Sequence, residues 1–188
     1  YLFYITIPSL YDKTWVQNDI EKKLVKEFKL NFNLSSEITY ALLPSPHYNI
    51  KNATILDYDK KNPKKISEIK SLKVFISQKN FFKKNLVIRY VTIDEANFLF
   101  KVNNFKFIKK FINQKFSHKR IEIKKSNIFL ENIDQDILLI NKISELDILF
   151  NDVDNLNEIN LSGEVFNIPF LLNLNNDLTN STLSYKII

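Results

Sequence analysis

The two histidines, His47 and His118, are the side chains best suited to proton transfer or metal ligation near neutral pH. His47 follows Pro46 in a turn, and His118 lies in a basic stretch with Lys119 and Arg120; neither shows the HExxH or related spacing of a metal site. Two carboxylate pairs, Asp134 with Asp136 and Asp152 with Asp154, have the residue types of an acid–base couple or a Ca²⁺ loop. They lack the Gly and the closing Glu of an EF-hand, and they fall in polar loops where carboxylates are ordinarily solvated. The single glycine, Gly163, follows Ser162, so no GxSxG elbow exists, and one glycine supplies no phosphate-cradling loop. With no cysteine there is no thiolate nucleophile, disulfide or Cys-ligated zinc. The expectation is a protein that is not an enzyme, with no catalytic residue, metal or cofactor.

Binding chemistry is better supplied. The 188 residues carry a formal net charge of +6, are 45% hydrophobic and include 16 Phe. Basic residues interleaved with Phe suit single-stranded nucleic acid, yet the aromatic residues fall mostly where the alternation places a buried face, so a nucleic-acid partner is not expected. The joint enrichment in Lys, Asn, Ile and Phe is what A+T-rich codons produce, which gives the basicity a second origin. Methionine is absent, even at position 1, and the final run from Leu183 to Ile188 still reads as a strand. Both ends are therefore expected to be cuts from a longer chain. Nothing resembles an interdomain linker; Lys60 to Lys65 around Pro63 reads as a charged loop inside one domain.

The elements follow from periodicity. Tyr1 to Ile7 is an apolar run stopped by Pro8, too short to span a bilayer, and reads either as the trailing end of a membrane anchor or as an edge strand. Asp12 or Thr14 can cap a helix over 14–28, with Trp15, Val16, Ile20, Leu24 and Phe28 on one stripe. Leu30, Phe32 and Leu34, then Ile38, Tyr40 and Leu42, alternate with polar residues and predict a hairpin. A second amphipathic helix is predicted over 102–116, where Val102, Phe105, Ile108, Ile112 and Phe116 recur at helical spacing. Its polar face is basic, which makes Lys106, Lys109 and Lys110 candidates for contact with anionic headgroups or simply a solvated face. Downstream, Ile159 to Val165, Ile168 to Leu174 and Leu183 to Ile187 read as a meander, with a bulge at Gly163 and a turn at Asn175, Asn176 and Asp177.

A short unit recurs three times, at Tyr48–Ile55, Leu86–Ile93 and Ile121–Ile128. Its form is large-apolar, any, Ile, Lys or Arg, any, small, Thr or Asn, Ile. Positions one and three are apolar, but so is position eight, so the alternation changes phase within the unit, as a bulge or bend requires. Serial bent strands predict an α+β, β-rich fold: a curved antiparallel sheet forming an open groove, with two amphipathic helices.

The stretch Ile38-Thr-Tyr-Ala-Leu-Leu-Pro44-Ser-Pro46-His-Tyr-Asn-Ile-Lys-Asn-Ala-Thr-Ile55 resembles the N-terminal signature of AsmA-like proteins, and Ile121-Glu-Ile-Lys-Lys-Ser-Asn-Ile-Phe-Leu130 is similar to that family's recurrent strand element. The resemblance implies a periplasm-facing protein held in the inner membrane of a Gram-negative bacterium, with residues 1–8 as the tail of its anchor. It also implies a groove that shields phospholipid acyl chains between envelope membranes, or alternatively a scaffold for outer-membrane biogenesis with envelope protein partners. Ile38, Tyr40, Leu42, Ile50, Val74, Ile76, Ile88 and Phe100 are the groove candidates, and core packing beneath a helix accounts for each of them equally well.

Overall fold

The computed structural model describes residues 2–57, 63–79, 81–102, 105–134, 136–180 and 182–188. The chain opens with a short helix, Leu2–Thr6 (α1), and a 3-10 turn, Ile7–Leu10, followed by Lys13–Phe28 (α2). Asp12 begins α2 by accepting the Trp15 N–H at 2.8 Å, and Lys29, in the left-handed region at φ 55°, ends it. The expected stripe is the one that is used: Val16, Ile20, Leu24 and Phe28 are buried, and Trp15 packs at their margin.

Ten strands follow: Asn31–Asn33 (β1), Ile38–Ala41 (β2), His47–Leu56 (β3), Lys65–Ile76 (β4), Ile88–Lys101 (β5), Ile121–Glu131 (β6), Ile137–Asn151 (β7), Leu156–Val165 (β8), Ile168–Asp177 (β9) and Thr182–Ile187 (β10). They form one open sheet in the order β1-β3-β4-β5-β6-β7-β8-β9-β10, with β2 also on β3. Every pairing is antiparallel except β5 with β6. The parallel pair corrects the expected all-antiparallel sheet: Phe105–Ile112 (α3) lies between β5 and β6 and returns the chain to the end where β5 began. Among the described residues there are three α-helices rather than the expected two, the additional one being α1. The predicted 102–116 helix is shorter because its last turn is taken over by strand side chains: Asn157 accepts the Phe116 N–H and donates to the Ile112 and Gln114 carbonyls. Residues 103 and 104 of that prediction lie outside the described residues, as do Tyr1 of the apolar run and 60–62 of the charged loop.

The expected hairpin of β1 with β2 does not form. Both run antiparallel to β3 along the same edge, β1 against Thr54–Leu56 and β2 against His47–Ile50, as one interrupted strand. The interruption, 34–37, faces Lys51 to Ala53, where β3 itself changes facing. In β3 the buried positions pass from Tyr48 and Ile50 to Ala53 and Ile55, with Lys51 and Asn52 exposed between them. Asn52 makes the change by adopting φ 54°.

The same event recurs across the sheet. In β5 the buried set passes from Val91 and Ile93 to Ala96 and Phe98 around Glu95 at φ 56°; in β6 it passes from Ile121 and Ile123 to Ser126 around Lys125 at φ 48°. β4 shifts between Ile69 and Leu72, and β7 between Ile143 and Leu146. The shifts lie in register, forming a seam perpendicular to the strands. At β7 it ends: Ser144 is an extra residue where the register with β8 slips between Ile143 and Glu145, and β8 runs through unshifted. The bulge is therefore on the strand facing Gly163, not on Gly163 itself. Gly163 is required because a Cβ there would meet the Lys142 carbonyl oxygen at 2.4 Å.

The first and third copies of the repeat match this seam, with Asn52 and Lys125 both at position five. The second copy is displaced. Its true counterpart is Val91–Phe98, whose Val91, Ile93 and Phe98 pair in register with Ile121, Ile123 and Ile128. The meander of β8, β9 and β10 forms as expected, but Asn175, Asn176 and Asp177 end β9 rather than turn. The turn follows, with the Asp177 carboxylate accepting the Thr179 and Asn180 N–H groups.

Candidate functional site

Residues directly paired across neighbouring strands project to the same face, so the register traces rows of side chains across the sheet. One row runs Leu72, Ile93, Ile123, Leu146, Leu161, Leu172, Ile187. Its exposure is 0% at Leu72, 9% at Leu146 and 8% at Leu161, then 64% at Ile187. The neighbouring row, Val74, Val91, Ile121, Ile148, Ile159, Leu174, Tyr185, behaves alike: buried as far as Ile148, half-buried at Ile159 and Leu174, and exposed at Tyr185. Both belong to the face on which the helices pack.

Two helices cover the first part of that face. α2 buries its stripe against it, and α3 follows with Phe107 and Phe111 in a chain of aromatic contacts from Phe100 to Phe116. The cover stops at a defined place. Asn157 on β8 and Asn176 on β9 are paired neighbours, both buried, and both donate to the Ile112 carbonyl, at 3.2 and 2.8 Å. Amides on an otherwise apolar face need such partners. Beyond them, Phe170, Leu172 and Leu174 on β9 and Leu183, Tyr185 and Ile187 on β10 continue the apolar face toward the sheet edge, and all of β10 is exposed.

The centre of the opposite face is charged, between a stacked row of His47, Phe75 and Tyr90 and, beyond the seam, a paired row of Leu99, Phe129 and Ile140. Glu122 accepts hydrogen bonds from Arg120 at 2.8 Å and Thr92 at 3.2 Å and is paired with Lys124 at 3.0 Å. Burial alone would raise its carboxyl, but Lys124 and Arg120 outweigh burial and hold it below the usual range. Asp147 beside it goes the other way: burial and the nearby Glu122 and Glu145 charges raise it despite Arg120. Along the seam on this face lies a trough of about 530 Å³ lined by Asn52, Lys70, Glu95, Asn97, Lys125 and Asn127 among others. Lys70 and Glu95 pair across it.

The residues singled out from sequence divide clearly. Ile38, Ile50, Val74, Ile76 and Ile88 come together, but as buried members of the core that α2 fills. Tyr40, half-buried, donates its hydroxyl to the Ile5 carbonyl at 2.6 Å, and burial pushes its pKa up to about 12. Leu42 is half-buried in the loop after β2, and Phe100 lies apart from the others, 6.4 Å from Phe107 of α3. Lys106, Lys109 and Lys110 are exposed on α3.

His47 is buried in a ring stack with Phe75 at 4.8 Å, and His118 lies 2.8 Å from Asp152. Asp136 and Asp154 bond to the loop asparagines Asn132 and Asn151. Among the described residues, no three His, Asp or Glu side chains gather as metal ligands, and no helix is long and apolar enough to cross a membrane.

The uncovered rows on β9 and β10 were legible as strands but not as a site. Their alternation is the same as that of core strands, and only the reach of the helices separates the two. No protein-family model matches the chain, and no curated protein matches it in sequence.

Proposed function

We propose that the chain is a non-catalytic lipid-binding sheet, with β8 to β10 supplying a groove surface for phospholipid acyl chains in the manner of the AsmA-like proteins it resembles. One observation carries this reading: the apolar rows of the core face continue past α2 and α3, half-buried at Leu172 and Leu174 on β9 and exposed at Tyr185 and Ile187 on the edge strand β10. A contiguous apolar surface of this kind marks a binding surface. Each buried acyl CH₂ contributes about 0.8 kcal/mol, so a single chain laid along Leu172, Leu174, Tyr185 and Ile187 has ample driving force. The residues expected from sequence to line the groove serve in this reading as the packed base that holds the strands in place. A location in the inner membrane facing the periplasm accords with the family resemblance.

The test is lipid extraction and mass spectrometry on the purified chain beside Leu174→Asp/Tyr185→Asp. Co-purifying phospholipid that the variant loses, with the fold retained by circular dichroism, supports the groove. Absence of lipid from both, together with failure to take up a fluorescent fatty acid, sinks it.

A second reading, a scaffold that recruits an envelope protein, is favoured by one feature. β10 is an exposed edge strand with alternating Leu183, Tyr185 and Ile187, a template for strand addition. A protein crosslinked through β10 in cells, with no lipid recovered, would select it.

A further inference from the structure

Strands β4 to β7 are symmetric about the parallel pair: β5 and β6 run together, and β4 and β7 flank them, each antiparallel to its neighbour. A twofold axis lying along the strands, between β5 and β6, therefore sets this block face to face on a second copy. It places β4 over β7 and β5 over β6, with strand directions kept and each row over its own copy. The face behind the helices is the one available. Its residues alternate with Leu72, Ile93 and Leu146 before the seam and with Ile69, Ala96 and Ile143 beyond it, all members of the core, so their side chains leave the sheet on the other side.

Under this axis the rows of that face complement themselves. In the row Lys73, Thr92, Glu122, Asp147, Lys73 meets Asp147 of the copy and Thr92 meets Glu122. In the row Ser71, Asp94, Lys124, Glu145, Asp94 meets Lys124 and Ser71 meets Glu145. Beyond the seam, in Glu68, Asn97, Asn127, Lys142, Glu68 meets Lys142 and amide meets amide. Further on, Leu99 meets Phe129 and Lys101 meets Glu131. Leu99 and Phe129 border a hollow of about 330 Å³ that Ile66 and Ile137 also line, and Leu99 is 37% and Ile137 53% exposed. No like charges meet in these rows. Half a strand's displacement of the axis destroys the match: centred on β6 it lays Glu122 and Lys124 on their own copies, and centred on β5 it lays Asp94 on its own. The β5–β6 matches follow from cross-strand pairing inside one chain, but the outer ones do not. Glu68 and Lys142 lie three strands apart, about 14 Å, and pair within the chain with Lys65 and Glu164 instead.

We infer that two copies of this chain associate face to face through β4 to β7 about this axis. Sheets packed in this way lie about 10 Å apart, which facing Lys and Glu side chains span together. Both signs of charge are interspersed over the face, so a polyanion or an anionic bilayer gains little there, whereas a copy meets opposite charge in row after row. The apolar rows of β8 to β10 lie on the other side of the sheet, and the inference does not rest on the lipid reading.

The experiment is sedimentation equilibrium of the 188-residue chain, with carbodiimide crosslinking, which joins a carboxylate to an amine in contact. A dimer that weakens in high salt is expected, with a crosslink between Glu68 and Lys142 confined to the dimer. Glu68→Lys and Lys142→Glu, each folded by circular dichroism, should raise the dissociation constant about tenfold or more, because each sets like charges together at two symmetric places. The swap Glu68→Lys/Lys142→Glu should return it close to that of the unchanged chain, which damage to the fold would not do. Leu174→Asp/Tyr185→Asp should leave the dimer intact while removing acyl-chain uptake, so either proposal can fail alone. A monomer at every concentration, a dimer indifferent to both single variants, or one that the swap fails to restore overturns the inference. A dimer lost in Leu174→Asp/Tyr185→Asp overturns it as well, by placing the contact on β9 and β10.

Discussion

The sheet under α2 and α3 and the sheet on β9 and β10 are continuous in backbone and nearly identical in alternation, yet one is core and the other is surface. Ile93 and Ile187 belong to one row, five pairings apart; Ile93 is packed on all sides, and Ile187 meets solvent. The difference lies in the length of the helices that cover the face and in the place where α3 is tied down. Strand sequence contributes little to it. Apolar periodicity in a strand therefore reports which face is inward, not whether anything lies over it.

The largest expected effect tests that contrast directly. Ile93→Ala should cost about 3 kcal/mol in urea denaturation, as buried truncations do, whereas Ile187→Ala should change stability by less than about 0.5 kcal/mol. Equal costs at both sites would mean that β10 is packed against something in solution, and the contrast would fall.

Next comes the boundary. Asn157→Leu removes partners from the Ile112 and Gln114 carbonyls and the Phe116 N–H, and should cost about 2 kcal/mol. Hydrogen exchange should rise over 105–117 while β3 to β5 stay protected. Uniform acceleration across the chain would show that α3 belongs to the same cooperative unit as α2, with no separable border.

The smallest effect concerns the charged centre of the opposite face, where charge replaces apolar cover. Glu122 has a lowered pKa in the fold, so it contributes stability above its ordinary 4.5 that is lost as pH falls through the lower native value. Asp147 has a raised pKa, so its ionised form costs stability at neutral pH, and the cost disappears as pH falls toward its ordinary 3.8. Glu122→Gln should thus destabilise at pH 7 and Asp147→Asn should stabilise, each by about 1 kcal/mol or less, with both differences vanishing in acid. A destabilising Asp147→Asn at pH 7 would show that Arg120 dominates that carboxylate.

Much of the local structure was readable from residue order. An apolar stripe at helical spacing after Asp12 and Thr14 marked α2 and its buried face, with the choice of Asp12 as the cap left to the structure, and the alternations after Leu156 marked the meander. The phase change in Tyr48–Ile55 and Ile121–Ile128 announced a change of facing within the strand, and the facing changes at Asn52 and Lys125, both at positive φ. Where the reading slipped, pairing decided. Leu86–Ile93 fits the repeat by residue type, but register with β6 selects Val91–Phe98. Asn176 has the composition of a turn, yet its amide is needed to hold α3. β1 and β2 look like a hairpin and instead share one edge of β3, because the seam leaves room for an interruption.

By itself the sequence determined the face of α2, the alternation of the strands and, in Tyr48–Ile55 and Ile121–Ile128, the place where that alternation changes phase, because all three depend on neighbours within a few residues. The tertiary structure alone decided which changes of facing align into a seam and which apolar rows α2 and α3 cover. Those outcomes depend on contacts between segments tens of residues apart, and the same Ile or Leu satisfies its local pattern whether a helix lies over it or not.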